Sequence, residues 1–367
     1  MRVIMTCGGT GGHIYPAVAI ADEIKRRDPE AEILFVGSEI GMERDLVPES
    51  GYEITLINAD GFSRTLRGSI RSVKRVLKGR AQAKELIKEF KPDIVIGTGG
   101  YASMPVVSMA EKAGIPAYLQ EQNAIPGKTN KFLGRKARRI FLGFEKAGEY
   151  FPDPEKLVLT GNPVRKEFVG IDRKKVREEL GLSDDTFVVL AFGGSQGAGR
   201  LNREMMSIIR QYNGRPGTKI WLGAGSYYYE AIMTELREKG ETLADNIEIW
   251  EYIHDMSRRL AAADLLISRS GALTVAEVTV CGVPVIFVPF PGAAQNHQYY
   301  NAMAVADKGG AIVIEEKDLE EDPLIPHIEQ LRGDRELLQK MSEACRSCGS
   351  EEAVQVICDT IFEDFNK

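Results

Sequence analysis

Short apolar runs alternate with longer stretches of helical composition in the first half of the chain. Five of these runs have the character of buried strands: Val3–Met5, Ile33–Val36, Ile94–Ile96, Ala117–Leu119 and Arg139–Leu142. Strands that alternate with helices form parallel sheets, and helices cover both faces of such sheets. The first half is therefore predicted to be a doubly wound α/β domain.

The same alternation starts again in the second half, with six further runs: Phe187–Phe192, Lys219–Leu222, Ile247–Trp250, Leu265–Ile267, Val285–Val288 and Ala311–Ile314. Between the halves, Phe151-Pro-Asp-Pro and Gly161-Asn162-Pro163 interrupt any regular element, which predicts a hinge near Gly161 to Phe168. A chain of 367 residues also fits two domains. We predict Rossmann-like parallel-sheet domains at 1–162 and 163–349 that face each other across a cleft.

Each half opens with a strand that runs directly into a glycine-rich loop and then a helix. These loops are Gly8–His13 and Gly193–Ala198, and a third, Gly97–Tyr101, follows the strand at Ile94. Because all three leave the carboxyl ends of parallel strands, they should lie where open α/β sheets bind ligands. None of them reads GxGxxG or GxxxxGK[ST], which disfavours a nicotinamide oxidoreductase or a P-loop NTPase.

The stretch Ser268–Glu277 joins a predicted buried strand, Ala263–Ile267, to a helix that starts at Ala272. The free N–H groups and the positive dipole end of such a helix favour a phosphate group. Glu277 lies about 7.5 Å further along the helix axis, where a carboxylate suits the paired hydroxyls of a ribose. An equally weighted alternative is an ordinary strand–helix unit whose glutamate is simply solvated.

Composition and charge narrow the classes of function. The formal net charge of −6 argues against nucleic acid as the main partner. No apolar run approaches the roughly 18 residues of a membrane span, and the first residues carry no secretory signal, so we expect the protein to stay in the cytosol. The odd number of cysteines, five, indicates reduced thiols rather than a disulfide framework.

The segment from Arg64 to Lys91 is strongly basic, with ten Lys and Arg residues against two Glu. A helical stripe from Ala83 to Phe90 should face the domain core. An earlier apolar stripe, formed by Ile70, Val73 and Leu77, would lie about 120° away from it on a continuous helix. The earlier stripe with its flanking cations is predicted to rest on an anionic membrane surface. The alternative is a kink at Gly79 that lets both stripes pack inside. The predicted membrane patch consists of Ile70, Arg71, Val73, Lys74, Arg75, Leu77 and Lys78.

Six segments of the chain resemble the MurG family, bacterial glycosyltransferases that add N-acetylglucosamine to a lipid-linked muramyl-pentapeptide in peptidoglycan synthesis. The segments are Gly8–His13, Glu121–Gly127, Gly161–Arg165, Gly193–Ala198, Ser270–Glu277 and His297-Gln298. The resemblance implies the two-domain glycosyltransferase fold of the B type, with UDP-N-acetylglucosamine as the donor. In one departure, many relatives carry an acid directly before the His-Gln pair, where this chain has the neutral Gln295 and Asn296.

The resemblance also implies which residues hold the donor, mainly in the carboxyl-terminal domain. Ser195 and the backbone of its loop would face the diphosphate, the backbone around Ile253 would contact uracil, and Arg165 would approach from the hinge. Glu277 would hold the ribose, and Gln298 would bond hydroxyls of the donor sugar. The phosphate and the sugar would be lined by Ala272, Leu273 and Thr274.

In the amino-terminal domain, the resemblance points to the first glycine loop and to the loop that follows the Ala117–Leu119 strand. The residues expected to lie toward the donor sugar and the acceptor are Thr10, Gly11, Gly12, His13 and Asn123. The last helix, Glu351–Phe362 within about 350–367, would cross back to this domain.

The implied reaction is an inverting transfer to the C4 hydroxyl of the muramyl sugar of lipid I, undecaprenyl-pyrophosphoryl-muramyl-pentapeptide, which gives lipid II. The enzyme must stabilise the leaving diphosphate and accept a proton from the attacking hydroxyl. Helix N-termini and loop amides can meet the first need, and no DxD-like carboxylate pair stands at a strand end, so we expect neither a metal ion nor another cofactor. His13 is the candidate base, although an imidazole that only orients the loop is weighted equally.

Two other functions share this donor. A UDP-N-acetylglucosamine 2-epimerase has the same two-domain fold but needs no membrane acceptor, so the basic patch would have no role. A non-catalytic membrane-surface protein would bind the sugar nucleotide without turnover. The transferase hypothesis implies a peripheral location at the cytoplasmic face of the bacterial cell membrane.

Overall fold

The computed structural model describes residues 1–59, 66–321 and 323–366. The chain divides into two compact units, Met1–Arg165 with Ser350–Lys367, and Lys166–Gly349. Each unit is built on one parallel sheet, so the predicted class of two doubly wound α/β domains is confirmed. The predicted first domain ends at 162, whereas the first unit ends at Arg165.

The first unit contains seven strands: β1 (Arg2–Thr6), β2 (Glu32–Ser38), β3 (Ile54–Ile57), β4 (Ile94–Gly97), β5 (Ala117–Glu121), β6 (Arg139–Leu142) and β7 (Leu157–Leu159). They form one parallel sheet in the order β3-β2-β1-β4-β5-β6-β7. The helices of this unit are α1 (Gly11–Arg27), α2 (Glu43–Glu49), α3 (Leu66–Phe90), α4 (Ser103–Lys112), α5 (Lys128–Leu133) and, from the end of the chain, α14 (Ala353–Phe365). Short 3₁₀ helices cover Glu145–Tyr150 and Pro154–Lys156.

The apolar runs did not predict β3 and β7, which are the two edge strands of this sheet. An edge strand needs less apolar surface than a central one because only one neighbour pairs with it and part of it faces water. Leu159 of β7, for example, is 58% exposed. The five central strands, which are buried on both faces, carried the signal.

Helices cover both faces of this sheet. Ile4 of β1 packs into a core cluster with Val106 of α4, whereas its neighbours Val3 and Met5 pack into a second cluster with Ile357 of α14. Successive side chains of a strand point to opposite faces, so this division is the expected one. The last helix therefore closes one face of the first sheet, and Arg27 holds it through an ion pair with Asp359.

The second unit contains six strands: β8 (Phe187–Phe192), β9 (Thr218–Gly223), β10 (Ile247–Trp250), β11 (Leu265–Ser268), β12 (Val285–Phe287) and β13 (Ala311–Val313). All six coincide with predicted apolar runs, and they form a parallel sheet in the order β10-β9-β8-β11-β12-β13. The helices are α6 (Arg173–Glu179), α7 (Gly199–Tyr212), α8 (Tyr229–Glu238), α9 (Met256–Ala262), α10 (Ala272–Cys281), α11 (His297–Ala306), α12 (Leu324–Gly333) and α13 (Arg335–Arg346). Short 3₁₀ helices cover Lys166–Phe168 and Ala294–Asn296.

Helix α3 contains the residues of the predicted membrane patch. It is continuous from Leu66 to Phe90, and a Cβ atom on Gly79 would collide with the backbone oxygen of Asn58, so the glycine allows close packing. Leu77 is 62% exposed and Lys78 is also exposed. The side chains of the other patch members, Ile70, Arg71, Val73, Lys74 and Arg75, lie outside the described residues. In the described ranges, none of the helices combines the length and the apolar character that a membrane crossing requires.

Candidate active site

The first glycine loop connects β1 to α1. Gly9 has φ of +92°, a left-handed conformation that glycine adopts without strain. Thr10 is the exposed N-cap residue, and α1 then begins with Gly11, Gly12 and His13 in its first turn. The loop therefore places one titratable side chain, that of His13, at the carboxyl edge of the first sheet.

The ring of His13 is held on one side by a hydrogen bond of 2.9 Å between Nδ1 and the backbone oxygen of Gly8. A carbonyl oxygen can only accept, so we assign the proton to Nδ1, which leaves the lone pair of the neutral ring on Nε2. On the other side the ring abuts Gly99, where a Cβ atom would lie 3.1 Å from Nε2. The imidazole thus orients the glycine loops and also has the tautomer that a general base at Nε2 needs.

The loop after β4 packs directly against the first loop. Gly100 has φ of +87°, and a Cβ atom there would collide with the backbone of Gly8. The Ser103 hydroxyl donates to the backbone oxygen of Gly99 at 2.7 Å, and the Thr98 hydroxyl donates to that of His13, also at 2.7 Å. Two of the three predicted glycine loops therefore form one close-packed edge.

The buried carboxylate of Glu121, to which the sequence analysis assigned no role, organises the loop after β5. Glu121 accepts hydrogen bonds from the backbone N–H groups of Asn123 and Gly127, at 2.9 and 3.1 Å, and from the Asn130 side chain at 2.9 Å. Burial raises the pKa of Glu121, and these donors oppose that effect. Asn123 is half-buried on a loop that Glu121 fixes. An acid as the last residue of a buried strand was the available signal.

Buried amides connect this loop to the segment that ends the first unit. Gln120 donates to Asn162 at 2.9 Å, Asn162 donates to the backbone oxygen of Gln122 at 2.9 Å, and Gln122 donates to that of Thr98 at 2.7 Å. Just beyond Asn162, the guanidinium carbon of Arg165 lies 5.7 Å from the centre of the Tyr15 ring, on α1. Arg165 therefore adjoins the helix that carries His13.

The second glycine loop, between β8 and α7, is held by neutral contacts. Gly197 has φ of +85°, and a Cβ atom there would collide with the backbone oxygen of Ala224. That oxygen accepts a hydrogen bond from the buried Asn202 side chain at 2.7 Å, and the Ser195 backbone oxygen accepts one from the Ser226 N–H at 3.1 Å. The Ser195 side chain is exposed in the loop, which leads into the N-terminus of α7 at Gly199. Such a helix end favours an anionic ligand.

The predicted donor residues of α10 and α11 lie together. The Ser270 hydroxyl donates to the backbone oxygen of Gln298 at 2.8 Å, and the buried Asn301 donates to that of Ser270 at 3.2 Å. The Gln298 side chain accepts from the Phe290 N–H at 2.9 Å. Gly271 caps α10, and the half-buried Glu277 follows in its second turn. The first turn of α10 contains Ala272, Leu273 and Thr274.

Ile253 follows β10 in a loop, and its side chain is 5% exposed. A Cβ atom on Gly223 would lie 3.0 Å from Ile253 Cδ1, so the side chain fills space beside that glycine. The side chain of Ile253 is therefore part of the domain core, and the contact between its backbone and uracil that the resemblance implies stays a prediction. The Arg259 guanidinium lies 4.6 Å from the Trp221 ring and 4.7 Å from the Trp250 ring, which fixes the end of β10.

The sequence did not predict the structural roles of two further features of the second unit. Gln295 and Asn296, the neutral residues that depart from the family pattern, have φ of 55° and 54°. They form a left-handed turn directly before α11. Arg269 is the second feature: it donates to the backbone oxygens of Val288 and Pro289, at 2.9 and 3.0 Å, and pairs with Glu316. Arg269 thereby joins the ends of β11 and β12.

The described residues contain no group of three or more His, Cys, Asp or Glu side chains placed to hold a metal ion. The arrangement instead offers an oriented imidazole in the first unit, and in the second unit two helix N-termini with exposed or half-buried polar groups. An imidazole of this kind can accept a proton, and helix N-termini of this kind can stabilise a diphosphate.

Comparison with known proteins identifies the family. Residues 3–142 match the glycosyltransferase family 28 N-terminal domain, and residues 188–359 match the corresponding C-terminal domain. Over 98% of its length the chain is 42% identical to the UDP-N-acetylglucosamine–N-acetylmuramyl-(pentapeptide) pyrophosphoryl-undecaprenol N-acetylglucosamine transferase of Acetivibrio thermocellus, of which the match covers 97%.

Solved structures agree with this assignment. The crystal structure of Acinetobacter baumannii MurG superposes with a TM-score of 0.79 at 29% identity and 99% coverage of both chains. A putative UDP-N-acetylglucosamine 2-epimerase from Listeria monocytogenes has a TM-score of 0.72 over 100% of this chain and 96% of its own, but at 17% identity this likeness concerns the fold alone. The chain belongs to glycosyltransferase family 28, and within it to the MurG family that its six segments resemble.

Proposed function

We propose that this chain transfers N-acetylglucosamine from UDP-N-acetylglucosamine to the C4 hydroxyl of the muramyl sugar of lipid I, with inversion, and so makes lipid II. The observation that carries the proposal is the identity of 42% over 98% of the chain with a transferase whose name states both donor and acceptor. The loops Gly8–His13 and Gly193–Ala198 would supply the two chemical functions that this transfer needs, which are a proton acceptor and stabilisation of the leaving diphosphate.

In this proposal the second unit holds the donor. The exposed Ser195 and the N-terminus of α7 would contact the diphosphate, together with the first turn of α10. Glu277 would bond the ribose hydroxyls, Gln298 the sugar, and the backbone at Ile253 the uracil. Amide N–H groups at two helix ends can stabilise the charge that develops on the leaving diphosphate.

In the first unit, His13 would act as the general base. The acceptor hydroxyl would give its proton to Nε2 as its oxygen attacks the anomeric carbon and the bond to the UDP oxygen breaks. The hydrogen bond from Nδ1 to Gly8 would then help to stabilise the protonated ring. Thr10, Gly11, Gly12 and Asn123 would line the same edge.

Assay of the parent protein with donor alone and with donor plus lipid acceptor tests the proposal. A disaccharide–lipid product that requires acceptor supports the transferase. Formation of the 2-epimer from donor alone would support the epimerase, whose fold this chain shares. Binding of donor with neither product would favour a non-catalytic membrane-surface protein.

We also propose a peripheral location at the cytoplasmic membrane face, through the basic patch on α3. The exposed Leu77 and Lys78 support it. Replacing Arg71, Lys74, Arg75 and Lys78 together with Gln removes four electrostatic contributions to membrane binding. Each is worth about 1 kcal/mol at most, because salt screens the attraction. Co-sedimentation with anionic vesicles should therefore fall, whereas equal sedimentation of variant and parent would mean that this face is only solvated.

A further inference from the structure

Glu43 is a fully buried carboxylate that none of the roles above uses. It is the first residue of α2 and lies outside the six segments that resemble the family. Burial of a carboxylate is costly unless hydrogen bonds compensate it. A buried acid beside a proposed catalytic loop therefore requires an explanation.

Both oxygens of Glu43 accept hydrogen bonds from backbone N–H groups. Oε2 accepts from Gly9 at 2.9 Å, and Oε1 accepts from Ser38, at the end of β2, at 2.7 Å. The Ser38 hydroxyl in turn donates to the backbone oxygen of Ala59 at 2.6 Å. The carboxylate thereby joins the first glycine loop to the loops that follow β2 and β3.

Three glycines leave the space that this carboxylate fills. A Cβ atom on Gly41 would collide with the carboxylate, one on Gly37 would collide with the Glu43 side chain, and one on Gly8 would lie 3.0 Å from Oε1. The side chain is consequently locked by packing as well as by hydrogen bonds. A bonded and enclosed carboxylate of this kind holds its partners in one geometry.

The same peptide group contacts both Glu43 and His13. Its N–H, that of Gly9, donates to Glu43, and its C=O, that of Gly8, accepts from Nδ1 of His13. A trans peptide directs its N–H and C=O to opposite sides, so the peptide bridges the two side chains. A peptide whose N–H is bound to a carboxylate becomes a stronger acceptor at its carbonyl, since chained hydrogen bonds polarise one another.

We infer that Glu43 is a positioning residue for the transfer reaction: through the Gly8–Gly9 peptide it fixes the orientation and tautomer of His13. In the catalytic triad a carboxylate bonds the catalytic histidine directly. Glu43 has the corresponding role here, but it acts through one peptide group. Burial and the Glu43 carboxylate both raise the pKa of the neighbouring Cys7 thiol, so this thiol stays protonated and does not act as a second base. The inference rests on the proposed role of His13.

The substitution Glu43→Gln tests this inference because it preserves shape and replaces one acceptor with an NH₂ donor. The Gln side chain cannot accept from both N–H groups. We expect the single-turnover transfer rate to fall about 10- to 100-fold, the range seen when the partner of a functional histidine is removed from a metal site. Affinity for UDP-N-acetylglucosamine, titrated on the same protein, should not change. Glu23→Gln is the matched control, since it removes another buried carboxylate of this unit, paired with Arg26 and Arg27, and should leave the transfer rate unchanged.

The double variant His13→Ala/Glu43→Gln separates this inference from the proposed function. If Glu43 acts through His13, the double variant transfers no more slowly than His13→Ala alone. Losses that add, or a Glu43→Gln rate equal to that of the parent, would overturn the inference while His13 remained the base. A His13→Ala rate within about tenfold of the parent, less than general-base catalysis usually contributes, would overturn both.

A spectroscopic measurement gives an answer that does not depend on activity. The chain has four histidines, so nitrogen-15 imidazole spectra can be assigned by comparison with His13→Ala. The parent should show His13 with its proton on Nδ1, and Glu43→Gln should redistribute the proton between the two nitrogens. If Glu43→Gln does not fold, Gly41→Ala replaces it, because the added methyl displaces the carboxylate without removing it. A tautomer unchanged in the folded variant would overturn the inference.

Discussion

The two glycine loops have the same arrangement of strand, loop and helix, but different groups hold them. The loop of the first unit is anchored by the buried Glu43 carboxylate, which accepts from Gly9. The loop of the second unit is held by neutral backbone groups: the Ser226 N–H donates to the backbone oxygen of Ser195, and Gly197 packs against the backbone oxygen of Ala224. Both loops place glycines in left-handed conformations, so backbone geometry does not distinguish them.

The difference in charge agrees with the ligand proposed for each loop. The Glu43 carboxylate, separated from His13 by one peptide group, favours the imidazolium that would form when the ring accepts a proton. An anion at the second loop would repel the diphosphate, by about 4 kcal/mol for two unit charges 4 Å apart near a protein surface. One loop is thus suited to proton acceptance and the other to anion binding, although their sequences look alike.

The largest expected effect comes from the first loop. His13→Ala should lower the single-turnover transfer rate by 10²- to 10⁴-fold, the usual contribution of a general base, and leave donor affinity nearly intact. His13→Asn keeps a polar group of similar reach and serves as the comparison. General-base catalysis usually contributes more than about tenfold. If Asn restores the rate to within about tenfold of the parent, the ring only orients the loop, and the first loop does not serve proton acceptance.

The second unit should show the opposite signature, a loss of affinity. Glu277→Ala removes hydrogen bonds to a charged group worth about 1.5–3 kcal/mol, which corresponds to donor binding weakened by roughly ten- to a hundredfold. Titration of UDP-N-acetylglucosamine against the folded variant measures this loss. Unchanged affinity would return Glu277 to the solvated face of an ordinary helix.

A smaller effect tests the neutrality of the second loop directly. Ser195→Asp introduces an anion where the loop has none, and Ser195→Asn is a neutral control of nearly equal size. The exposed position lets water screen the charge, so we expect donor affinity about tenfold weaker for Asp than for Asn, with the difference shrinking at high salt. Equal affinities would mean that the diphosphate lies elsewhere.

Apolar pattern predicted the central strands, but it could not predict features that depend on distant partners. β3 and β7 were missed because edge strands need less apolar surface. Glu43 resembles an ordinary acid in the first turn of a helix, and its contact with Gly9 spans 34 positions of the chain. The left-handed pair Gln295 and Asn296 likewise carries no glycine to announce it.

The candidate site also contains features that the sequence predicted and features that it did not. The glycine loops and the start of α10 were predicted because glycine, strand and helix stand next to each other in sequence. The roles of Glu43 and Arg269 were not predicted, because each acts on backbone groups of another segment of the chain. Glu121 bonds the backbone of its own loop, but its burial depends on the tertiary structure around it. A charged residue in a sequence usually indicates a solvated face, and only tertiary structure distinguishes the buried exceptions.

We expect removal of divalent ions to have no effect on the transfer rate. In the part of the chain that the structure describes, no three His, Cys, Asp or Glu side chains form a cluster suited to a cation. The proposed diphosphate contacts are the N-termini of α7 and α10, whose dipoles and amide groups stabilise negative charge without a metal. Transfer rates measured in EDTA should therefore equal those measured in Mg²⁺. If EDTA abolishes the transfer and Mg²⁺ or Mn²⁺ restores it, a cation balances the charge of the leaving group. The proposal that the second loop and the helix N-termini stabilise the diphosphate without a metal would then be wrong.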